Sequence, residues 1–459
     1  MNTNQSPYDD TLNHVNTYSR PSDLKITDMR MATVVGAPMR CPLIKITTNQ
    51  GIEGYGEVRD GASKRYALML KSRIMGENPC NVNKIFRRIK QFGMDGRQAG
   101  GVCGIELALW DLAGKAYGVP VHAMLGGKFR DSVRIYCDTD VRGKMTGQAM
   151  GEALKERMEL GFTFLKMDTG IYMLRDIPGA LSGPRDFIDK LMPSRRMWEK
   201  LRQADEKTRL EYRRLAYETQ NVMHPFTGIQ ITEIGLDYLE AYVEEVRSVI
   251  GYEVPLATDH FGHIGIENCI KIARRLDRFN LAWYEDMLPW QMTDQYVRLA
   301  NSCTTPICTG EDIYLKEGFK PLLESGGVSV IHPDILSSGG IYENQKIGDL
   351  AQEHGVAMAV HMAESPIACM AAVHSIAATE NFLALENHSI DTPWWDDMVN
   401  GLPNPIIQNG FINVPDTPGL GIESLNDDVI KEHLDPNDPG LWESTDEWDL
   451  DFSHDRLWS

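Results

Sequence analysis

Residues Leu281–Glu311 read LAWYEDMLPWQMTDQYVRLANSCTTPICTGE. The apolar run LAWYED ends on acids. An amphipathic stretch follows, and then a second apolar run, PICTGE, ends on Glu311. Short apolar runs separated by a helix-like segment read as strand, helix, strand, with each strand finishing on a carboxylate. The unit recurs in both directions. Upstream lie VRIYCD (Val133–Asp138), FTFLKMD (Phe162–Asp168) and EVPLATD (Glu253–Asp259). Downstream lie VSVIHPD (Val328–Asp334), VAMAVH (Val356–His361) and FLALEN (Phe382–Asn387). Eight such strands predict an α/β fold, a parallel (β/α)8 TIM barrel. Nearly all close on Asp, Glu or His, and the C-terminal strand ends of such a barrel form its active face.

The flanks read differently. Residues 1–22 are polar, without an apolar core, and read as a flexible tail with no secretion signal. From Leu24 to Arg59 the pattern has period two, with a hairpin expected at TNQG, Thr48–Gly51. From Tyr66 to Tyr117 it turns helical. Ile105, Leu109 and Leu112 keep helical spacing, and Gly118-Val119-Pro120 should stop the helix. Residues 23–131 thus read as a small α+β domain and 132–395 as the barrel. Residues 171–233 interrupt the rhythm as an insertion carrying the charged run MWEKLRQADEKTRLEYRRLAYE, Met197–Glu218. Long βα loops sit on the catalytic face, so a lid or border is expected, with an oligomer contact or a solvated decoration as the alternatives. Residues 396–459 are irregular; VPDTPGLGIE (Val414–Glu423) should return to the small domain, and an acidic tail ends the chain.

The net charge of −19 argues against nucleic acid, since phosphate binding needs a basic face. No apolar run reaches the roughly 18 residues of a membrane span, so no membrane partner is expected. Eight scattered cysteines without a CxxC pair suit reduced thiols and a cytoplasmic location.

Asp259, Glu285 and Glu311 close three successive strands at a constant interval of 26 residues. A single acidic strand end is ordinarily a salt bridge or a helix cap. Three in register would repel one another strongly unless a cation joined them. All-oxygen ligands favour one Mg²⁺ per site, with Mn²⁺ also acceptable. Asp334 and His361 follow 27 residues apart, one unit again. A carboxylate beside an imidazole fixes its tautomer and raises its basicity, so the pair is an acid/base candidate. A proton next to an ionised carboxylate is very weakly acidic. Its removal needs both carboxylate oxygens neutralised as charge flows onto them, and Lys166 is the cation to stand beside the metal.

These motifs, with GIELALWDLAGKAYGVPVHAMLGG (Gly104–Gly127), Gly310-Glu311, HPD (His332–Asp334) followed by GGI (Gly339–Ile341), and PGLG (Pro418–Gly421), resemble the mandelate racemase/muconate lactonizing branch of the enolase superfamily. The resemblance spans about Leu24 to Glu423, the insertion excepted. It implies a capping domain completed by the C-terminal segment, a modified barrel, an essential Mg²⁺ and homo-oligomers from dimers to octamers. By matching position it implies Asp259, Glu285 and Glu311 as metal ligands and Asp334 with His361 as the dyad. Glu386 would hydrogen-bond the substrate carboxylate or the developing enediolate. Capping-domain loops would set specificity, making Arg40, Arg59 and Lys64 candidate substrate contacts, although any one such charge is commonly a solvated surface group.

One departure narrows the chemistry. The branch often carries Lys-x-Lys on the second barrel strand, and here the sequence is Lys166-Met167-Asp168. Alternation points residues 166 and 168 inward. Asp168 replaces the base of one face, and racemisation needs a group on each face. Dehydration of a sugar acid, an aldonate or aldarate, to a 2-keto-3-deoxy acid is the favoured reading, with a small-molecule acid as partner. His361 could serve both steps, Asp168 could be a weak base, and His260 and His263 are candidates for the leaving-group acid or for substrate contacts. The rivals are a racemase, epimerase or cycloisomerase, and a ligand-binding descendant without turnover. Trp283, Trp394 and Trp395 read as structural.

Overall fold

A computed structural model describes residues 19–139, 146–174, 177–183, 204–219, 228–259 and 264–450. The chain opens with an antiparallel sheet of β1 (Ile26–Val35), β2 (Arg40–Thr48) and β3 (Glu53–Glu57), in that order. The expected hairpin joins β2 to β3, with Thr47 opposite Glu53 and Gly51 in the left-handed region. After α1 (Val82–Ile89), α2 (Gly100–Tyr117) lies across the sheet, buried along almost its whole length. It ends at left-handed Gly118, as the sequence predicts.

The approach of α2 to β3 is backbone on backbone. A β-carbon at Gly56 would run into the Gly104 carbonyl, and one at Gly104 would run into the Glu57 carbonyl. No other residue type fits this seam. The C-terminal segment closes the unit. Gly419 bridges Pro120, Leu434 bridges Val34, and Asp435 N donates to the Thr33 carbonyl at 2.7 Å.

The barrel strands are β4 (Ser132–Cys137), β5 (Leu165–Asp168), β8 (Leu256–Asp259), β9 (Tyr284–Glu285), β10 (Ile307–Thr309), β11 (Val330–Ile331), β12 (Ala357–Met358) and β13 (Leu385–Asn387). All eight fall in the expected runs. β5, β8, β9, β10, β11 and β12 pair in parallel in that order. A Val360–Leu385 bridge leads on to β13, which pairs with β4. No backbone ladder joins β4 to β5 among the described residues; Arg134 spans that gap to Thr163. Helices α3 (Gly147–Glu159), α5 (Glu233–Ile250), α6 (Ile266–Leu276), α7 (Thr293–Ala300), α8 (Leu315–Ser325), α9 (Ile341–Glu353) and α10 (Pro366–Ala377) separate the strands. Of the insertion, a two-stranded ladder of β6 (Leu181–Ser182) with β7 (Gln230–Ile231) and a helix, α4 (Glu206–Thr219), are described. Beyond the barrel, β14 (Val399–Asn400) pairs with β16 (Ser424–Leu425), and β15 (Phe411–Asn413) adds antiparallel to β4.

Each barrel strand contributes one side chain to an apolar floor: Tyr136, Phe164, Ala257, Trp283, Cys308, Val330, Ala359 and Ala384. Three aromatics face small residues, which fills the taper without a void. Two residues further along each strand, alternation delivers the next inward row: Asp138, Lys166, Asp259, Glu285, Gly310, His332, His361 and Glu386. The site is therefore a polar layer resting on an apolar one.

Two capping-domain carboxylates key this layer's supports. Glu106 of α2 accepts from Ile341 N at 2.8 Å and Tyr342 N at 3.2 Å, at the start of α9. Glu57 of β3 accepts from Ser365 N and Ser365 Oγ at the start of α10. Each meets orphan N–H donors and the positive end of a helix. Helix propensity alone gives Gly104→Ala a gain of about 1 kcal/mol. The seam predicts the opposite sign, a loss of about 2–3 kcal/mol from overpacking, measurable as a lower urea midpoint at unchanged slope.

Candidate active site

Lys166 is fully buried and holds three carboxylates: Asp259 Oδ2 at 2.7 Å, Glu285 Oε1 at 3.0 Å and Glu386 Oε1 at 2.6 Å. Glu285 is fixed on its other sides by Trp283 Nε1, 2.7 Å from Oε2, and by His332 Nδ1, 2.8 Å from Oε1. Burial works against its charge, yet His332 and Lys166 hold its carboxyl down at about 2. Glu386 gathers Lys166 and His388 on Oε1, and Tyr136 and His332 on Oε2. Against its burial, Lys166 and His388 keep it well below the usual carboxylate range.

Glu311 arrives by a different route. Gly310 takes φ +137°, and a β-carbon there would strike Phe319, so the glycine lets the chain turn Glu311 toward the dyad. Glu311 Oε2 lies 3.1 Å from His361 Nε2, and Oε1 lies 3.5 Å from Arg59. Burial pushes its carboxyl up to about 7 against Arg59, with Asp259, Asp312 and Glu285 adding to the rise. Burial, Glu311, Glu285 and Asp259 likewise raise Asp286, which sits at φ +45° and accepts from Thr309 Oγ1 at 2.6 Å.

The structure brings Asp334 and His361 together. His361 Nδ1 lies 2.6 Å from Asp334 Oδ2, and the backbones of the two residues form a parallel bridge. Nδ1 also faces Arg59 at 3.2 Å, while Nε2 faces Glu311; a proton on Nδ1 shared with Asp334 is the tautomer that makes Nε2 the base. Burial and the Arg59 cation hold His361 neutral, well below the ordinary imidazole value.

Arg59 is buried and not a solvated surface group: its side chain is 1% exposed and lies against Asp60, Asp334 and Glu364 at 2.7–2.8 Å. Arg40 and Lys64 are engaged elsewhere, on Asp435 and Asp438 of the C-terminal segment, each at 2.7 Å. Asp168 pairs in register with Asp259 at the end of β5. His260 and His263 lie outside the described residues. Sequence reasoning missed His332, Glu364, His388, Asp138 and Tyr136. The first four had a legible signal: Asp138 ends VRIYCD, and His332 and His388 stand two residues from Asp334 and Glu386. Glu364 follows VAMAVH on the loop into α10.

The three expected metal ligands crowd one mouth, and each makes charge on its neighbours more costly. Among the described residues, the metal-capable trios with ligand atoms within 4.8 Å of one another are Glu285–Cys308–His332 and His361–Glu386–His388. Asp259, Glu285 and Glu311 are spread wider, because Lys166 spans the first two while Glu311 leans on His361 and Arg59. Their chemistry still fits a hard divalent cation: all donors are carboxylate oxygens, and the mouth carries more buried acids than Lys166 and Arg59 can balance.

Removing Arg59 should leave Asp334 and Glu364 buried and unpaired. Arg59→Met is expected to cost about 3–5 kcal/mol in denaturant unfolding, and adding Glu364→Gln should recover part of it in a double-mutant cycle.

Comparisons place this geometry. Residues 10–126 match the Mandelate racemase / muconate lactonizing enzyme, N-terminal domain family. Residues 149–429 match the family described as Enolase C-terminal domain-like. The chain is 30% identical over 433 residues to a D-xylonate dehydratase of Haloferax volcanii, covering 93% of this chain and 92% of that protein. It is 27% identical to a D-galactonate dehydratase of Ralstonia pickettii, covering 92% of this chain and 98% of that protein. A mandelate racemase/muconate lactonizing enzyme-like protein of Rubrobacter xylanophilus superposes with TM-score 0.75 at 28% identity, covering 91% of this chain and 99% of that one. The chain thus belongs to the mandelate racemase/muconate lactonizing enzyme branch of the enolase superfamily, whose members use a divalent metal.

Proposed function

We propose that this chain is a hydro-lyase that dehydrates a sugar acid, an aldonate or aldarate, to a 2-keto-3-deoxy acid. The observation that carries the reading is the one-sided base. His361 is neutral with Nε2 free of Asp334, whereas Lys166 is locked among three carboxylates and residue 168 is an acid. The second barrel strand, where Lys166 is engaged and residue 168 is an acid, offers no available nitrogen base for exchanging protons on the second face of a carbon. Elimination needs only one. Full-length relatives named for D-xylonate and D-galactonate dehydration support the same class.

In this reading Asp259, Glu285 and Glu311 hold Mg²⁺, with Mn²⁺ able to substitute. When bound, the cation supplies positive charge against the substrate carboxylate. Lys166 donates to that carboxylate from the other side and stays charged because burial is outweighed by Asp259, Glu285 and Glu386. His361 takes the α-proton at Nε2, and Asp334 stabilises the imidazolium that forms. Glu386 serves by fixing Lys166 toward the substrate. Asp168, His260 and His263 remain on the substrate side of the reading, and the capping-domain loops carrying Arg40 and Lys64 border it. A cytoplasmic homo-oligomer belongs to the same proposal. No helix among the described residues is long and apolar enough to cross a membrane.

A screen of aldonates and aldarates with Mg²⁺ for keto-acid formation tests the reading. Turnover should vanish on chelation and return with Mg²⁺. His361→Asn should lower kcat by about 10³-fold, near the middle of the range for a lost general base. Exchange of the α-deuterium with inversion and no loss of water would overturn the dehydratase assignment.

A further inference from the structure

We propose that His388 is a second catalytic histidine, the group that protonates the departing hydroxyl. The proposal rests on the dehydratase reading above. His388 follows Glu386 by two residues at the end of β13, so alternation sets it on the inward side, one strand over from His361. The two imidazole centroids are 5.9 Å apart with planes tilted by 53°. One ring nitrogen of each, and one oxygen of Glu386, lie within 4.8 Å of one another. An oxygen atom seated between two such nitrogens reaches both at hydrogen-bond distance.

The two rings have different neighbours. The groups facing His388 are Asp138 from the end of β4, Glu386 on β13, Lys166 on β5 and His361 beyond β12. Nδ1 lies 3.4 Å from Asp138 Oδ2 and Nε2 lies 3.1 Å from Glu386 Oε1. Against burial, with Lys166 opposing, the two carboxylates hold His388 up at about 9. Arg59 Nη1 lies 3.2 Å from His361 Nδ1, whereas a carboxylate stands at each nitrogen of His388, so His388 is the better placed of the two to carry a proton. The outer side of His388 is the open one. His388 and Asp138 each keep 14% of the side chain exposed, whereas Glu386 keeps none. The longer Asp138 contact is therefore the one a substrate hydroxyl can replace.

The step balances. His361 takes the proton from the α-carbon, and the C–H electron pair remains on the substrate. That pair forms the C=C bond as the β C–O bond breaks. The leaving oxygen takes the His388 proton and departs as water. The enol then gains a proton at the β-carbon and loses one from its hydroxyl, giving the ketone. His388 regains a proton from solvent beside Asp138, and His361 releases one. Because the two rings stand on adjacent strand ends, both address one face of the substrate, and the elimination is syn.

The test uses the full-length protein with Mg²⁺, the variants His388→Asn and His388→Gln, and two probes. One is the aldonate the wild type dehydrates best, and the other is its 3-deoxy-3-fluoro analogue, whose fluoride leaves without needing an acid. Water loss should fall by about 10²-fold or more, the loss expected for a missing general acid. Fluoride release and wash-in of deuterium at the α-carbon from D₂O should persist near wild-type rates. Undiminished dehydration by both variants overturns the proposal. A parallel fall of all three rates also overturns it, because His388 would then act only by holding Glu386. If the wild type dehydrates no acid in the screen, the dehydratase reading itself fails and takes this inference with it. A wild type that dehydrates while the variants match it rejects His388 alone.

Discussion

The barrel mouth is a problem of surplus negative charge. Asp259, Glu285, Glu311, Asp334, Glu364 and Glu386 lie together with two buried cations, Lys166 and Arg59, between them. Taking so many carboxylates from water costs several kcal/mol each unless they are paired, so each cation is shared among three or more of them. Lys166 serves the half of the mouth formed by β5, β8, β9 and β13. Arg59 serves the half formed by Glu311, Asp334 and Glu364. The residual charge is what a divalent cation would absorb, and the raised Glu311 carboxyl marks where the shortfall is felt.

This division ties the capping domain to the chemistry. Arg59 follows β3 directly, and its guanidinium is among the surroundings that keep His361 neutral. Glu57 and Glu106 sit on the first turns of α10 and α9, the helices that follow β12 and β11. β11 leads to Asp334 and β12 to His361. The dyad is therefore braced from outside the barrel by three side chains of one small domain.

The barrel was legible because its signal is local. Period-two runs of similar length, each closed by a polar residue, needed no knowledge of what packs against them. The metal-ligand candidates were legible from spacing alone. His332 and His388 obeyed the same alternation but lay beside residues already given roles, so their inward direction went unread. Arg59 could not be placed from sequence. Apart from the adjacent Asp60, its partners are more than 250 residues away along the chain, and the strand that presents it is held by the helix–strand seam at Gly56 and Gly104. The ion pairs of Arg40 and Lys64 were hidden for a related reason, since the acids that engage them belong to the far C-terminal segment.

The seating of Glu57, Arg59 and Glu106 also bears on how such proteins diverge. The loops that would contact the substrate hang from the small domain, while the candidate acids and base hang from the barrel. Three buried polar side chains cross between them, each matched to fixed partners on the far side. A cap grafted from a relative would bring its specificity loops intact, yet would misfit unless those three positions travelled with it. New substrates are thus more readily reached by altering the loops in place than by trading whole modules.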